Sequence, residues 1–347
     1  AVDELDVLLV DVIKKQMLSD VPVGAFLSGG IDSSAIVGIM QSISSKPICT
    51  FSIGFNEKEY NEANQARSIA NFLGTDHSES MISSADAMDV IPKLPCIYSE
   101  PFADSSQIPT FLVSQLAKNK VTVSLSGDGG DEIFGGYNRY VLSRSLWRGI
   151  SKTPVFLRSS VAKLIKAAPP DVLNSVFGPM QALLPNGLAQ RNVGDKLHKG
   201  ASVLGADNAD ELYQLLIMHW KNTDGLVIGL DQIPRSKNNL SSPKFSKDFV
   251  HSMMASDLSG YLPDDILVKV DRASMAVSLE TRCPFLNHKL VEFAWRLPSN
   301  YKLNGHIGKR VLREVLYKYV PKDLVDRPKM GFGVPVGSWL RGPLREW

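Results

Sequence analysis

The sequence predicts an α/β protein built on a doubly wound parallel sheet. From the N-terminus to Leu125, short apolar segments alternate with segments of helical periodicity. Strands that are covered by helices on both faces are apolar throughout, and parallel strands are connected by helices. Two of the apolar segments run directly into glycine-rich turns. Since ligands of such sheets bind at the carboxyl ends of the strands, we expect the functional site at these turns.

Hydrophobic periodicity, glycine and proline place the individual elements. An apolar run from Val23 breaks at Ser28 and predicts a strand that ends in a turn. The other segments are helices over 5–18, 35–43, 61–73 (ended by Gly74), 85–91 (ended by Pro92), 107–118 and 308–319, and strands over 47–55, 76–82 and 121–125.

Length, charge and cysteine content limit the class of protein. The chain has 347 residues, 44% of them hydrophobic, and a net charge of +2. This length can bury a sizeable core, and the small charge offers no basic footprint for nucleic acid. Three widely separated cysteines indicate neither a disulfide framework nor a paired-cysteine metal site. Short apolar runs and an acidic N-terminus predict a cytoplasmic protein with no membrane partner.

The first glycine turn consists of Ser28, Gly29 and Gly30, and Asp32, Ser33 and Ser34 follow it at the start of a helix. Adjacent glycines permit close approach of a ligand, and a helix N-terminus stabilises an anion. The chain contains no G-x-x-x-x-G-K-[ST] pattern, so the ordinary lysine-bearing phosphate loop is excluded. SGG-x-DSS instead resembles the PP-loop of ATP pyrophosphatases, which release pyrophosphate. A turn without a ligand is the alternative.

The second glycine turn, 126–130, carries Asp128 and is followed by Asp131 and Glu132. Carboxylates beside a phosphate repel it unless a cation lies between them, and Mg²⁺ is held by one or two carboxylates plus phosphates. We therefore predict Asp32 and Asp131 as ligands of Mg²⁺. A dinucleotide fingerprint is excluded because Glu132 stands where G-x-G-x-x-G needs its last glycine. A purely structural turn is the alternative here too.

Charged residues also interrupt the apolar sequence between Tyr261 and Leu286. They are Asp265, Lys269, Asp271, Arg272, Glu280 and Arg282. Because buried charge is costly unless paired or functional, an internal ion-pair network and a functional site are both open explanations. Lys329 lies on a loop between a proline and two glycines. A mobile lysine in such a loop is suited to neutralising the negative charge of a leaving pyrophosphate. A solvated surface lysine is its alternative.

A change in composition after Tyr140 predicts the domain organisation. We expect a PP-loop nucleotide-binding α/β core at 1–142, a mainly helical region at 143–250 and a helical C-terminal part at 251–347 that completes the site. The middle region has no strong strand signal and contains loops rich in Pro, Asn, Gly and Ser. The chain begins with Ala rather than Met, which we interpret as a piece of a longer protein.

Five motifs occur in a fixed order: SGGIDSS, SLSGDGGDEIFGGY, YLPDDILVKVDRASMA, LETRCPFL and RPKMGFG. Together they resemble the synthetase domain of the glutamine-dependent asparagine synthetase family, over nearly the whole chain. The resemblance implies a PP-loop ATP pyrophosphatase fold, also called adenine nucleotide alpha hydrolase-like, with a helical addition. It also implies a ligase that uses ATP to convert a carboxylate into an acyl-adenylate, from which ammonia displaces AMP to leave an amide.

The resemblance assigns roles to individual residues. Asp32 and Asp131 match the Mg²⁺ ligands, and Lys329 matches the lysine that stabilises pyrophosphate and the adenylation transition state. Asp128 stands where many members have Glu, one methylene longer, so its role toward the intermediate or ammonia is open. The expected ATP-binding residues are Leu27, Ser28, Gly29, Gly30, Asp32, Ser33, Ser34, Ile53, Ser126, Gly127 and Asp265.

The family's glutaminase domain begins with a nucleophilic cysteine, whereas the earliest cysteine here is Cys49. We expect the chain alone not to hydrolyse glutamine and to use ammonia from a glutaminase domain outside it. Aspartate, through its β-carboxylate, is the expected acceptor. Amidation of sugar uronates in surface-polysaccharide biosynthesis and β-lactam ring closure stay open, as does a PP-loop tRNA-modifying enzyme of another class. The oligomeric state is open, with a homodimer among the alternatives.

Overall fold

The computed structural model describes residues 1–55, 61, 63–177, 193–218, 228, 248–326 and 334–346. The chain forms two compact units, one made of Ala1–Gly136 and Met254–Trp347 and the other of Tyr137–Met253. The first unit contains a parallel sheet with helices before and after its strands, which confirms the predicted α/β class.

The strands of the described chain are β1 (Val23–Phe26), β2 (Cys49–Phe55), β3 (Asp76–Ile82), β4 (Val123–Leu125) and β5 (Glu280–Arg282). The helices up to residue 136 are α1 (Val2–Gln16), α2 (Ile31–Ile43), α3 (Ala63–Leu73), α4 (Ser84–Val90), α5 (Leu94–Tyr98), α6 (Gln107–Lys118) and α7 (Gly130–Phe134). Then follow α8 (Asn138–Ile150), α9 (Val155–Ala167), α10 (Pro170–Phe177), α11 (Val193–Ala201), α12 (Ala209–Ile217) and α13 (Phe249–Ser259). The last are α14 (Val268–Met275), α15 (His288–Arg296), α16 (Ser299–Lys302), α17 (Arg310–Leu316), α18 (Lys322–Val325) and α19 (Val336–Arg341).

The sheet has the strand order β3-β2-β1-β4-β5, and all its pairs are parallel. From β1 the chain winds in one direction through β2 to β3, and it later continues on the other side of β1 through β4 to β5. The switch point therefore lies between β1 and β4, where a crevice opens at the carboxyl ends of the strands. Ala25 pairs with Leu125, so the turns that follow β1 and β4 begin at a similar height.

Apolar side chains at helical spacing anchor the first helix to this sheet unit. Leu5, Leu9, Val12 and Ile13 of α1 are fully buried and pack against α2 and α17. β1 and β4 consist of uncharged residues, as burial on both faces requires. A continuous core therefore supports the helix that follows the first glycine turn.

Two short elements were not predicted. The helix predicted over 85–91 is α4, which ends at Val90, but a 3-10 turn over Ile91–Lys93 that contains Pro92 leads on into α5. Proline is tolerated within the first turn of a helical segment, where its missing N–H needs no partner. β5 was not predicted, since it has only three residues and two of them are charged.

The second unit is helical in all its described residues that belong to regular elements. Val203, Ala206 and Leu212 form its small apolar cluster. The buried guanidinium of Arg158 donates hydrogen bonds to the carbonyls of Thr153, Leu204 and Ala206, each at 2.9 Å. Across the described residues of both units, every helix is too short or too polar to cross a bilayer.

Candidate active site

The turn between β1 and α2 is closed by its own serines. The Ser28 N–H donates to Ser33 Oγ at 3.2 Å, and the Gly30 N–H donates to Ser28 Oγ at 3.3 Å. Gly29 has a φ of 76°, and a Cβ there would come within 2.8 Å of Gln65 Cγ. Gly30 caps α2 without any side chain. The N-terminus of α2 thus has no side-chain cap, as an anion site requires.

Several of the residues predicted at or beside this turn are buried. Ser33 and Ser34 are both buried, and Ser34 Oγ has no hydrogen-bond partner in the structure. Leu27 is buried directly after β1, and its N–H donates to the Phe51 carbonyl at 2.8 Å. Ile53 is buried in β2. Leu27 therefore follows the end of β1, and Ile53 lies on the neighbouring strand β2.

The second glycine turn packs directly on the first. A Cβ on Gly127 would lie 3.0 Å from both Asp32 Cβ and Ser33 N, and a Cβ on Gly130 would overlap the Asp32 carboxylate. Only glycine permits this approach at both positions. The Ser126 N–H donates to the Arg282 carbonyl at 2.8 Å, so β5 supports the start of the turn. The structure thus brings together two turns whose first residues, Ser28 and Ser126, are 98 positions apart in the sequence.

Lys309 joins the carboxylates of the two turns. Its Nζ lies 2.6 Å from Asp131 Oδ1 and also contacts Asp32 Oδ2, and the residue is only 4% exposed. Burial disfavours the charged ammonium, but the carboxylates of Asp131 and Asp32 outweigh it and raise the pKa of Lys309 well above its usual range. The buried ammonium thus lies between two carboxyl groups that are partly exposed, Asp32 at 18% and Asp131 at 21%.

Two glycines leave the space that allows Lys309 to take this position. A Cβ on Gly136 would overlap Asp131 Oδ1 and Lys309 Cε, and a Cβ on Gly308 would lie 2.6 Å from the Gly135 carbonyl. Lys309 itself caps α17 with a φ of 57°. Lys309 was not predicted from the sequence, because 308–319 has the periodicity of an ordinary helix. Its one signal was a glycine immediately before a lysine at a helix start.

Asp128 lies in the same cluster and is half-buried. Ser126 Oγ donates to Asp128 Oδ2 at 2.5 Å. Burial raises the pKa of Asp128, and the charges of Asp32 and Asp131 raise it further, against the opposing effects of Ser126 and Lys269. This carboxyl group therefore holds a proton more readily than an exposed aspartate does.

A second buried ion pair lies beside Asp128. Lys269 Nζ is 2.6 Å from Asp104 Oδ2, and the Tyr98 hydroxyl donates to the Lys269 carbonyl at 3.1 Å. Burial raises the pKa of the Tyr98 hydroxyl, and the negative charges of Asp104 and Asp265 raise it further. Asp265 belongs to a π-helical stretch, a feature frequent at functional sites. The structure thus adds Lys269 and Asp104 to the neighbourhood predicted for Asp265.

The other charges of this C-terminal part have a structural role or are exposed. Arg282 Nη1 donates to the carbonyls of Gln16 and Leu18 at 2.7 and 2.9 Å, so it binds the C-terminal end of α1. Glu280 pairs with Arg282 at 2.7 Å. Asp271 and Arg272 are exposed, which contradicts an internal ion-pair network for them. Lys329, with its whole glycine-containing motif, lies outside the described residues.

The carboxylates of Asp32 and Asp131 suit a divalent cation whose other ligands are phosphates and waters. Among the described residues, no group of three or more His, Cys, Asp or Glu side chains converges as a metal cage. Mg²⁺ is usually held by one or two carboxylates plus phosphates and waters. Asp32 and Asp131 already share one cationic group, the Lys309 ammonium, and so fit this requirement.

Comparison with known proteins places this geometry in a family. The sequence profile described as asparagine synthase matches residues 4–347. The chain belongs to the asparagine synthase family. The resemblance carried by the five motifs is thereby confirmed, and the parallel sheet with its crevice between β1 and β4 agrees with it.

Several curated proteins are similar to this chain. A putative glutamine-hydrolysing asparagine synthetase of Mycobacterium tuberculosis is 34% identical over 351 residues, which cover 99% of this chain and 50% of that protein. Asparagine synthetase 1 of Bacillus subtilis is 32% identical over 344 residues, covering 97% and 50%. The amidase chyE of Penicillium rubens is 25% identical over 375 residues, covering 97% and 53%. The chain spans about half the length of these relatives.

Proposed function

We propose that this chain is the amide-forming part of an ATP-dependent carbon–nitrogen ligase. It attaches AMP to a carboxylate with release of pyrophosphate, and ammonia then displaces AMP to give an amide. The β-carboxylate of aspartate is our first choice of acceptor, as in asparagine synthesis. One observation carries the proposal: two glycine turns meet at the switch point of a parallel sheet, and their Asp32 and Asp131 share one buried cation.

The first turn and the start of α2 bind the phosphates of ATP in this proposal. The uncapped helix N-terminus and the backbone of Ser28, Gly29 and Gly30 supply N–H donors. Asp32 and Asp131 hold Mg²⁺, which neutralises charge on the phosphates when it is bound. Both carboxylates lie at the edge of the crevice where the phosphates are expected.

The adenosine part of ATP is bound by the neighbouring strand ends. Leu27 and Ile53 are buried apolar residues that offer a surface for adenine. Ser126 and Gly127 begin the second turn, next to Asp32 and Ser33. These backbone positions are close enough to the first turn to contact the same nucleotide.

Asp128 acts on the amide-forming step in this proposal. When ammonia attacks the acyl carbon, a C–N bond forms, the C–O bond to AMP breaks, and the nitrogen must lose a proton. The raised pKa of Asp128 makes its carboxylate a better proton acceptor than an exposed aspartate. The hydrogen bond from Ser126 fixes one of its two oxygens.

Lys329 is the proposed catalytic lysine for adenylation, and it is tested by Lys329→Ala. Loss of a preorganised donor at developing charge costs about 10²–10³ in rate. We expect adenylate formation to slow by this factor while ATP binding, measured by calorimetry, changes much less. Lys322→Ala is a control on an exposed lysine whose contact to Asp326 is 3.7 Å long. A Lys329→Ala protein with normal turnover would reduce this residue to a solvated surface lysine.

ATP–pyrophosphate exchange decides between the proposed acceptors. The purified protein is assayed with aspartate and with several uronic acids, each in turn, and AMP release is followed with ammonium chloride or glutamine as nitrogen donor. Exchange that depends on aspartate, with amide formed from ammonia, supports the proposal. Exchange with a uronate alone redirects it to polysaccharide amidation. Exchange without any amide product points to an acceptor other than ammonia, and no exchange with any carboxylate refutes it.

A further inference from the structure

The ammonium of Lys309 lies where the two carboxylates assigned to magnesium come together. Its Nζ is 2.6 Å from Asp131 Oδ1 and in contact with Asp32 Oδ2, and its side chain is 6% exposed. Like charges repel each other, and more strongly where water is partly excluded, so a cation between the two carboxylates stabilises them. In the structure that cation belongs to the protein itself.

The surrounding backbone is built for this arrangement. Gly136 leaves room for Lys309 Cε and Asp131 Oδ1, since a Cβ at this glycine would overlap both atoms. Lys309 has a left-handed φ of 57°, which is unfavourable for a residue with a side chain. The unfavourable backbone of Lys309 and the space that Gly136 leaves both place this lysine against Asp32 and Asp131. They indicate a position built for Lys309.

We propose that Lys309 is a built-in counter-ion that keeps free Mg²⁺ away from Asp32 and Asp131 until a nucleotide is present. The inference rests on the proposed function, which assigns these carboxylates to Mg²⁺. The triphosphate supplies new negative charge next to the ammonium, so Lys309 can leave the carboxylates as the metal enters with the nucleotide. One cation replaces another, and the carboxylates are never left without one.

The proposal predicts how the nucleotide-free protein responds to magnesium. In the wild type, Mg²⁺ must displace a buried ammonium and binds weakly. In Lys309→Met, which keeps the stem of the side chain and removes its charge, the two carboxylates repel and the protein melts earlier. Mg²⁺ then binds to them, and at about tenfold its dissociation constant it raises the melting midpoint by about 2–4 °C.

The experiment measures melting midpoints without nucleotide, in millimolar MgCl₂ and in NaCl of equal ionic strength. A magnesium-specific rise in Lys309→Met, absent from the wild type and from Lys309→Arg, supports the proposal. Lys318→Met is the matched control, because Lys318 also bridges two aspartates, Asp3 and Asp6, but is 38% exposed. It should show no magnesium-specific rise, since the Asp3 carboxylate is 94% exposed and can move away from Asp6 into water.

A second variant identifies the binding site. Lys309→Met with Asp131→Asn removes one of the two repelling charges, so this protein should melt later than Lys309→Met and lose the magnesium response. If Lys309→Met does not fold in plain buffer, its refolding yield is titrated with MgCl₂ instead, and a yield that Mg²⁺ does not increase counts against the proposal.

Equal stabilisation of the wild type and Lys309→Met by Mg²⁺ would overturn the inference, as would a Lys309→Met protein that Mg²⁺ does not affect. These outcomes are independent of the reaction. Absence of ATP–pyrophosphate exchange with every carboxylate would refute the proposed function and leave the magnesium pattern standing. Exchange with an unaltered magnesium response in Lys309→Met would refute the inference alone.

Discussion

Two lysines of the sheet unit each bridge a pair of aspartates, and they differ in burial. Lys309 contacts Asp32 and Asp131 with a side chain that is 6% exposed, whereas Lys318 contacts Asp3 and Asp6 at 2.7 and 2.9 Å with a side chain that is 38% exposed. Carboxylate contacts raise the pKa of both lysines.

The difference in burial determines what each triad can do. Around Lys318, water screens the charges, and Asp3 is 94% exposed, so the pairs can open at little cost. Around Lys309, water has little access to the ammonium, and breaking a buried ion pair by removing one partner typically costs 3–5 kcal/mol. The same combination of one lysine and two aspartates is therefore a surface contact around Lys318 and, in our proposal, a cation site around Lys309.

The largest expected effect is a loss of ATP–pyrophosphate exchange on changes in the Lys309 triad but not in the Lys318 triad. Asp32→Asn and Asp131→Asn each remove a carboxylate from the Lys309 cluster, and we expect each to abolish ATP–pyrophosphate exchange, because a neutral amide holds Mg²⁺ poorly. Circular dichroism should show a retained fold.

Asp6→Asn is the matched change in the Lys318 cluster and should keep exchange near the wild-type rate. Near-normal, magnesium-dependent exchange in Asp32→Asn or Asp131→Asn would show that the residue concerned is not a metal ligand.

A smaller effect tests the room that the backbone leaves for the Lys309 triad. Gly136→Ala places a methyl group on Asp131 Oδ1 and Lys309 Cε. Overpacking of this kind costs roughly 1–3 kcal/mol, so the free energy of unfolding in urea should fall by that amount.

Gly149→Ala provides the control for Gly136→Ala. It lies in α8 with no atom within 4 Å of the added Cβ, and alanine is favoured over glycine inside a helix by roughly 0.5–1 kcal/mol. It should raise the free energy of unfolding slightly. A Gly136→Ala protein as stable as the wild type would mean that the triad can shift without loss.

The smallest effect concerns the pair Asp104 and Lys269, which is less buried than the Lys309 triad. Burial opposes ionisation of Asp104, but Lys269 and Ser106 outweigh it and lower the pKa of Asp104. A carboxyl group whose pKa is lowered on folding stabilises the protein above its unfolded pKa of about 3.9 and loses this contribution as the pH falls below it.

Urea unfolding of the wild type and Asp104→Asn from pH 3 to 7 measures this contribution. The difference in unfolding free energy should be constant above about pH 5 and shrink below about pH 4. Asp3→Asn, in the exposed triad, should differ little from the wild type at every pH. A difference for Asp104→Asn that persists unchanged at pH 3 would contradict an ion-pair origin.

The bounds of a strand or helix could be predicted from the sequence where the signal was local. The strand over 76–82 and the helix over 107–118 have the predicted bounds, because periodicity and punctuation agree there. The fold class and the meeting of the two glycine turns followed from topology alone. The roles of the residues in these turns stay predictions.

Three features escaped prediction because no local pattern encodes them. β5 contains two charged residues that become acceptable only because Glu280 and Arg282 pair with each other and Arg282 binds the end of α1. Lys309 reaches a carboxylate 277 positions earlier in the chain. The pair Asp104 and Lys269 spans 165 positions. Such contacts depend on the packed chain, so only the structure reveals them.

The parts of this site are synthesised at different times during translation. Both glycine turns belong to the N-terminal part of the protein, whereas β5 and Lys309 are translated much later. At about 5–20 residues per second, a ribosome needs roughly 10–40 s to proceed from Asp131 to Lys309. A nascent chain that stops before residue 280 therefore carries both turns complete, yet it lacks the strand that supports one of them and the ammonium that holds their carboxylates together.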